Sequence, residues 1–260
     1  MTKIAKNISL TTNLIILLFL RPKLKTMQSN LYLIPNTLGS LETEWTIPQK
    51  VASIAVKLSH FIVEDVRTAR RYLKLLDKNI DIDGLQFYIL NKHTTFEELS
   101  NFLLPLKSGQ DMGIISEAGC PAIADPGAEI VRMAHNAGIK VVPLTGPSSI
   151  FLALSASGMN GQNFAFNGYL PIKKEDRIKM LKHIENRSKN EKQSQIFIET
   201  PYRNMALLKD ILNNCNPLTR LCIACNITLE DEYIVTKTVK EWQGNVPELN
   251  KKPVIFVVEG

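Results

Sequence analysis

The chain has 260 residues, enough to bury a substantial hydrophobic core as one large or two small domains. Its hydrophobic content of 45% and charged fraction of 22% are those of an ordinary soluble globular protein. The formal net charge of +6 suggests an anionic partner, but residues 1–26 contribute five basic side chains and no acidic one. The remaining 26 basic and 25 acidic side chains nearly cancel, so bulk charge gives almost no support to nucleic-acid binding.

Residues 1–26 form a leader that we exclude from the fold. Its apolar core, Ile8–Leu20, is too short to span a bilayer, and Arg21-Pro22-Lys23 follows it instead of a small-residue cleavage site. We interpret the leader as sequence read from upstream of a true start at Met27; a membrane-surface anchor and a secretory signal are the alternatives. We therefore expect a cytoplasmic protein without a membrane-spanning segment.

From Leu31 onward, short apolar strands alternate with amphipathic helices, which predicts a parallel, doubly wound α/β domain. Thr95 and Glu98 have the spacing of a capping box, which predicts a helix from there to about Leu106. The other predicted elements are strands at Leu31–Pro35, Phe61–Val63, Leu85–Leu90, Met112–Ile115 and Ile139–Pro143, and helices at Pro48–Ser59, Thr68–Leu76 and Ala128–Asn136.

The pattern changes after a predicted helix at Ser148–Ser157. The last predicted strands lie close together in the sequence, which implies antiparallel pairing and a mixed sheet. We expect two α/β domains, 27–144 and 145–260, with a ligand cleft between them. The predicted elements of the second domain are helices at Glu175–Glu185 and Asn204–Leu212, and strands at Gln195–Glu199, Arg220–Asn226, Tyr233–Lys237 and Pro253–Val258.

Two turns rich in Gly, Pro and Ser follow apolar strands in adjacent units of the first domain. They are Ser116–Pro121, after Met112–Ile115, and Thr145–Ser149, after the next strand. Open α/β sheets bind ligands at the carboxyl ends of their strands, and glycine lets the backbone approach a ligand closely. Although each turn alone could be an ordinary strand–helix connection, two in neighbouring units indicate a ligand site.

Several other kinds of site have no support in the sequence. Cys222 and Cys225 have the spacing of half a metal site, but on a strand their side chains would point to opposite faces. We therefore expect no metal. The sequence contains no G-x-G, no G-x-x-x-x-G-K-[ST] and no G-x-S-x-G, so it carries no signature of a Rossmann dinucleotide site, a P-loop NTPase or an α/β-hydrolase.

Six segments, in the same order, resemble the tetrapyrrole methylase superfamily of S-adenosylmethionine-dependent methyltransferases. Within it they are most similar to the branch that methylates a cytidine 2′-hydroxyl of small-subunit (16S) ribosomal RNA. The segments are LYLIPNTLGSL (Leu31–Leu41), EDVRTARRYL (Glu64–Leu73), SEAGCPAIADPG (Ser116–Gly127), TGPSSIFLALSASGM (Thr145–Met159), FAFNGYLP (Phe164–Pro171) and FIETPYR (Phe197–Arg203).

The chain departs from this branch at several functional loops. Glu117 stands where the branch has Asp, Val66 and Cys120 where it has Thr, and Tyr202 where it has His. The first loop, which in the branch ends Thr-Pro-x-Gly-Asn, is here Asn36–Ser40. These changes bear on the substrate more than on the cofactor.

The resemblance implies that S-adenosylmethionine binds in the cleft between the two domains. It also implies a homodimer and transfer to small-subunit rRNA or a ribosomal particle. The cofactor-binding residues it implies are Leu38, Gly39, Glu117, Ala118, Gly119, Ser148, Ser149 and Glu199.

Methyl transfer needs an aligned nucleophile more than a catalytic triad, but a ribose hydroxyl is weak and would gain from a nearby base or charge. The candidate catalytic residues follow predicted strands, and each could instead form a surface salt bridge: Arg67, Lys92, Glu199 and Arg203. Methylation of a tetrapyrrole or another small molecule, and a catalytically silent S-adenosylmethionine-binding protein, remain the alternative functions.

Overall fold

Two five-stranded β-sheets, one after the other along the chain, organise the computed structural model, which describes residues 29–91 and 93–260. The leader and the start at Met27 lie outside the described residues. The strands are β1 Asn30–Ile34, β2 His60–Val63, β3 Gln86–Ile89, β4 Met112–Ile115, β5 Lys140–Pro143, β6 Phe164–Tyr169, β7 Ser194–Ile198, β8 Arg220–Cys225, β9 Tyr233–Thr238 and β10 Val254–Glu259. The helices are α1 Gln49–Ala55, α2 Val66–Leu76, α3 Phe96–Phe102, α4 Leu104–Lys107, α5 Ala128–Asn136, α6 Ser149–Ser157, α7 Lys174–Glu191, α8 Asn204–Asn214 and α9 Val239–Trp242.

The first sheet is entirely parallel, with the order β3-β2-β4-β1-β5. Helices α1 and α2 pack on one face, and α3, α4 and α5 on the other, each through its apolar side chains. The central strand β4 is buried along its whole length, as expected for a strand covered on both faces. The predicted doubly wound parallel sheet is therefore confirmed.

The second sheet is mixed, with the order β6-β7-β10-β8-β9. Strands β6 and β7 are parallel, and the other neighbours are antiparallel, which confirms the predicted mixed sheet. Helix α6 covers one face, and α7, α8 and α9 cover the other. The side chains of Cys222 and Cys225 lie in these two different core clusters, on opposite faces of β8 as their spacing predicts.

A buried ion pair joins α7 to α8. Arg177 donates through Nε and Nη2 to Oδ2 of Asp210, at 2.9 and 2.6 Å, and through Nη1 to the carbonyl oxygen of Ile172 at 2.7 Å. Both side chains are more than nine-tenths buried. Removing one partner of such a pair leaves an uncompensated charge in the core, which costs far more than the loss of a surface pair.

We predict that Arg177→Ala lowers the free energy of unfolding by about 3–5 kcal/mol, because Asp210 is left buried and unpaired. Arg187→Ala is the matched control, because Arg187 lies on the same helix and pairs with Glu191 at the surface. Its cost should stay below about 1 kcal/mol. Urea unfolding followed by circular dichroism measures both, and equal losses in the two variants would contradict the prediction.

Candidate active site

The loops that follow β1 and β4 are joined by hydrogen bonds of Asn36. Its backbone N–H donates to the carbonyl oxygen of Gly119 at 2.9 Å, and the N–H of Gly119 donates back to the carbonyl oxygen of Asn36 at 3.2 Å. The buried Asn36 side chain donates through Nδ2 to the carbonyl oxygens of Ser116 and Glu117, at 3.0 and 3.1 Å. One residue thus fixes two loops that the chain separates by some 80 positions.

Gly119 is required at this junction for its backbone conformation and for close packing. Its φ is +68°, a value that residues with a side chain rarely adopt. A Cβ atom there would lie 3.3 Å from the side chain of Leu38 and 3.5 Å from the carbonyl oxygen of Pro147. The loops after β1, β4 and β5 therefore meet at one point.

Two adjoining cavities lie between these loops and the second sheet. They enclose about 240 and 190 Å³ and share Ala118, Ser149, Tyr169, Ile198 and Ile255 as lining residues. We call the two together the cleft. Of the eight predicted cofactor-binding residues, six line it, and Gly39 and Glu117 do not: the lining ones are Leu38, Ala118, Gly119, Ser148, Ser149 and Glu199.

A larger cavity of about 380 Å³ lies at the opposite edge of the first sheet. Residues at the amino ends of the strands line it, among them Tyr32, His60 and Asp111. Parallel α/β sheets bind their ligands outside the carboxyl ends of the strands. Position in the fold therefore favours the cleft over this cavity as the active site.

Glu199 is one of the residues that line the cleft, and its side chain is fully buried. Its Oε1 accepts from the backbone N–H of Thr200 at 2.7 Å and from Nε of Arg203 at 3.0 Å. Its Oε2 is buried and has no hydrogen-bond partner among the described residues. Since an unpaired buried acceptor is costly, this oxygen is suited to accept a hydrogen bond from a ligand in the cleft. Arg203, partly exposed, fixes the orientation of this carboxylate.

Three carboxylates lie together beside the cleft. Burial, together with the neighbouring charges of Asp125 and Glu117, raises the pKa of Glu64 to about 7. Burial and Glu117 likewise raise the pKa of Asp125 to about 6, and Asp125 lines the cleft. None of the three carboxylates forms an ion pair with another described residue.

Asp125 lines the cleft but is not among the predicted site residues. The only signal was its place in the Ala124–Gly127 turn, which directs the chain into α5. In the structure, Ala122 and Ala124 have φ values of +66° and +62°. Such conformations in residues other than glycine are strained and concentrate at functional sites, and here they hold Asp125 in the cleft wall.

The predicted basic residues lie in different surroundings. Arg67 is exposed on the first turn of α2, outside the cleft wall, next to Asp65, which caps that helix. Lys92 lies outside the described residues. Among the basic residues of the segment after β6, Lys173 and Lys174 are exposed. Arg177 belongs to the same segment, but its side chain is buried against Asp210 and is not exposed to contact RNA.

Comparison with known proteins identifies the family. The sequence profile of the tetrapyrrole (corrin/porphyrin) methylases matches residues 62–243. A protein of Escherichia coli O157:H7 named ribosomal RNA small subunit methyltransferase I is 31% identical, over 90% of this chain and 78% of its own length. The protein of the same name in Pasteurella multocida is also 31% identical, over 88% of this chain and 79% of its own length. The chain belongs to the tetrapyrrole methylase family.

Solved structures of this family have the same fold. The methyltransferase CobJ superposes with a TM-score of 0.59 at 14% identity, covering 89% of this chain and 93% of its own. The uroporphyrin-III-C-methyltransferase of Thermus thermophilus superposes with a TM-score of 0.53 at 16% identity, and the match covers 89% of this chain and 92% of that protein. These two structures show that the chain has a common methyltransferase fold, and the family and the curated relatives show that it is a methyltransferase. Within residues 29–91 and 93–260, no helix is long and apolar enough to cross a membrane.

The raised pKa of Glu64 predicts a pH-dependent stability. Above an ordinary pKa of 4.5 the unfolded chain loses this proton, whereas the folded protein keeps it up to about pH 7. The resulting stabilisation is complete below pH 4.5 and is lost as the pH rises through 7. Glu64→Gln stays neutral, so we expect it to be more stable than the wild type at pH 8 and equally stable at acidic pH.

Urea unfolding at about pH 4 and pH 8 measures this difference. Glu44→Gln, which removes an exposed carboxylate outside the cleft, is the control and should follow the wild type at both pH values. A Glu64→Gln variant with no advantage at pH 8 would show that folding does not raise the pKa of Glu64.

Proposed function

We propose that this methyltransferase transfers a methyl group from S-adenosylmethionine to a ribose 2′-hydroxyl of small-subunit rRNA. The observation that carries the proposal is the 31% identity, over 90% of the chain, to a protein named for methylation of this RNA. The cleft lies at the carboxyl ends of the parallel strands, where open α/β sheets bind their ligands, so it can hold the cofactor. No catalytic triad is needed, because positioning the reactants can supply about 7–11 kcal/mol of the barrier.

The residues of the cleft fit S-adenosylmethionine, which supplies an electrophilic methyl group when bound. Its sulfonium and ammonium groups are cationic, and the neighbouring carboxylates of Glu64, Glu117 and Asp125 have no ion-pair partner among the described residues. The unpaired Oε2 of Glu199 can accept from a donor on the ligand. We assign cofactor binding to Leu38, Gly39, Glu117, Ala118, Gly119, Ser148, Ser149 and Glu199.

The predicted basic residues have two different roles in this proposal. Arg203 acts through Glu199, because its guanidinium donates to the buried carboxylate at 3.0 Å. Arg67, which is exposed, contacts an RNA phosphate or ribose, a task that suits the bidentate geometry of guanidinium. Lys92 is assigned to the same contact on the strength of its position after β3.

The proposal extends to domain boundaries, assembly and location. Residues 27–144 and 145–260 act as two domains with the cofactor between them. The enzyme works as a homodimer in the cytoplasm, where ribosomal subunits form. Helix α6 supports a homodimer, because Phe151 and Leu152 are exposed on it while Ala153 and Leu154 are buried. Apolar side chains grouped on one exposed surface are typical of protein contacts.

Labelled S-adenosylmethionine tests the reaction. We expect label to enter small ribosomal subunits from a strain in which the gene is deleted, and mass spectrometry of the nucleosides to find a 2′-O-methylated ribose. Naked 16S rRNA and tetrapyrroles serve as alternative acceptors. Label in a tetrapyrrole but not in rRNA would identify a small-molecule methyltransferase, and calorimetric binding without transfer to any acceptor would identify a silent binding protein.

Arg67→Ala should weaken binding to rRNA and leave the affinity for S-adenosylmethionine unchanged, because Arg67 lies outside the cleft wall. Loss of one phosphate contact should lower the slope of log affinity against log salt concentration by about one unit. Filter binding at several salt concentrations measures the slope, and calorimetry measures cofactor affinity.

The matched control for Arg67 is Arg132→Ala, an exposed arginine that pairs with Glu129 on α5. It should keep the wild-type salt slope. An unchanged slope in Arg67→Ala, or an equal decrease in both variants, would remove Arg67 from the RNA contact.

A further inference from the structure

A β-bulge interrupts strand β6 beside the cleft. Strand β6 lies at the edge of its sheet and pairs in parallel with β7. Phe166 pairs with Ile196, but Tyr169 pairs with Ile198, so β6 uses one residue more than β7 over this stretch. Gly168, within the extra length, has a φ of +63°. Bulges of this kind redirect the next side chain and are frequent next to active sites.

The bulge turns Tyr169 toward the cleft. In a regular strand, side chains alternate between faces, so residues 166 and 169 would point in opposite directions. The additional residue restores Tyr169 to the face of Phe166, and both line the cleft, together with Ile198 of the neighbouring strand. Tyr169 is shared by the two cavities that make up the cleft.

Tyr169 nevertheless remains largely uncovered. Its exposed fraction is 57%, although tyrosine in a cleft wall usually buries its ring. Its hydroxyl makes no hydrogen bond with a described residue, so the protein uses it neither as a donor nor as an acceptor. The aromatic face is therefore available to a planar ligand at the mouth of the cleft.

The surroundings of Tyr169 match the way proteins bind unpaired nucleotides. The chain leaves the strand through Ile172, Lys173 and Lys174, all of which are exposed. Tyr202, next to the Glu199–Arg203 pair, is exposed as well. Proteins bind single-stranded nucleic acid by stacking bases on aromatic rings, with lysine and arginine holding the backbone.

We propose that Tyr169 is a stacking platform for the base of the target nucleotide, and so positions its ribose beside the cofactor. The inference rests on the proposed function, because it requires an RNA substrate. Enzymes that act on a base take it out of its stack and hold it against aromatic or apolar side chains, and the same support for a base would fix the attached ribose. Tyr169 provides that support where both cavities meet.

Steady-state methyl transfer from S-adenosylmethionine to small ribosomal subunits from the deletion strain tests the proposal. Tyr169→Ala should lower kcat/KM for the subunits by about 5- to 140-fold, the range expected for the loss of one base-stacking contact. Tyr169→Phe should remain within about twofold of the wild type, because stacking needs the ring and not the hydroxyl. The dissociation constant of S-adenosylmethionine, measured by calorimetry without RNA, should be unchanged in both variants.

Phe96→Ala is the control, since Phe96 is equally exposed, at 66%, but begins α3 away from the cleft. The large exposure of Tyr169 means that its replacement should leave the urea midpoint unchanged. Unaltered kinetics in Tyr169→Ala would overturn the proposal. A parallel loss of cofactor affinity would assign the ring to the cofactor instead, and a Tyr169→Phe variant as impaired as Tyr169→Ala would assign the effect to the hydroxyl.

The wild-type enzyme separates this inference from the proposed function. If the wild type transfers no methyl group to the subunits, the proposed function fails and the stacking role fails with it. If the wild type is active and Tyr169→Ala is equally active, only the stacking role fails.

Discussion

The reciprocal hydrogen bonds between Asn36 and Gly119 hold the active site together. They join the loops after β1 and β4, which are neighbours in the parallel sheet, and the side chain of Asn36 ties down two further carbonyl oxygens. Every polar group in this buried junction that lost its partner would raise the free energy of the folded state. Because the junction also brings Leu38 and Pro147 against Gly119, the shape of the cleft depends on it.

The charges of the cleft fit the cofactor better than the RNA. The carboxylates of Glu64, Glu117 and Asp125, which form no ion pair within residues 29–91 and 93–260, suit a cationic sulfonium but repel phosphates. Residues 27–260 also have almost no net positive charge. Counterion release can therefore supply only a small part of RNA affinity. Under the proposed function, specificity would come from shape and from a few contacts, and this would favour a preassembled ribosomal particle over naked RNA as the substrate. An exposed aromatic ring such as Tyr169 binds a base without adding charge.

Sequence patterns predicted the elements that have a regular apolar period and a clear cap, such as α3 with Thr95 and Glu98. They did not predict β6, whose alternation is broken by the bulge at Asn167-Gly168, nor the four-residue helix α9. Helix α7 runs to Glu191, beyond the predicted end at Glu185. The prediction stopped early because the last turns of the helix are polar and have no apolar stripe, and tertiary contacts stabilise them instead. Ser188, for example, accepts a hydrogen bond from the backbone N–H of Gly260.

The site residues are also only partly predictable, because the sequence pattern does not indicate which charged side chains the fold will bury. Arg177 and Lys174 belong to one basic segment, yet one forms a core ion pair and the other lies in solvent. The sequence around Asp125 indicates only an ordinary turn, although in the structure two strained alanines hold Asp125 in the cleft wall. Tyr169 needs one inserted residue in β6 to face the cleft. In each case the decisive fact is a long-range contact or a local departure from regular structure, and the short-range periodicity of a sequence records neither.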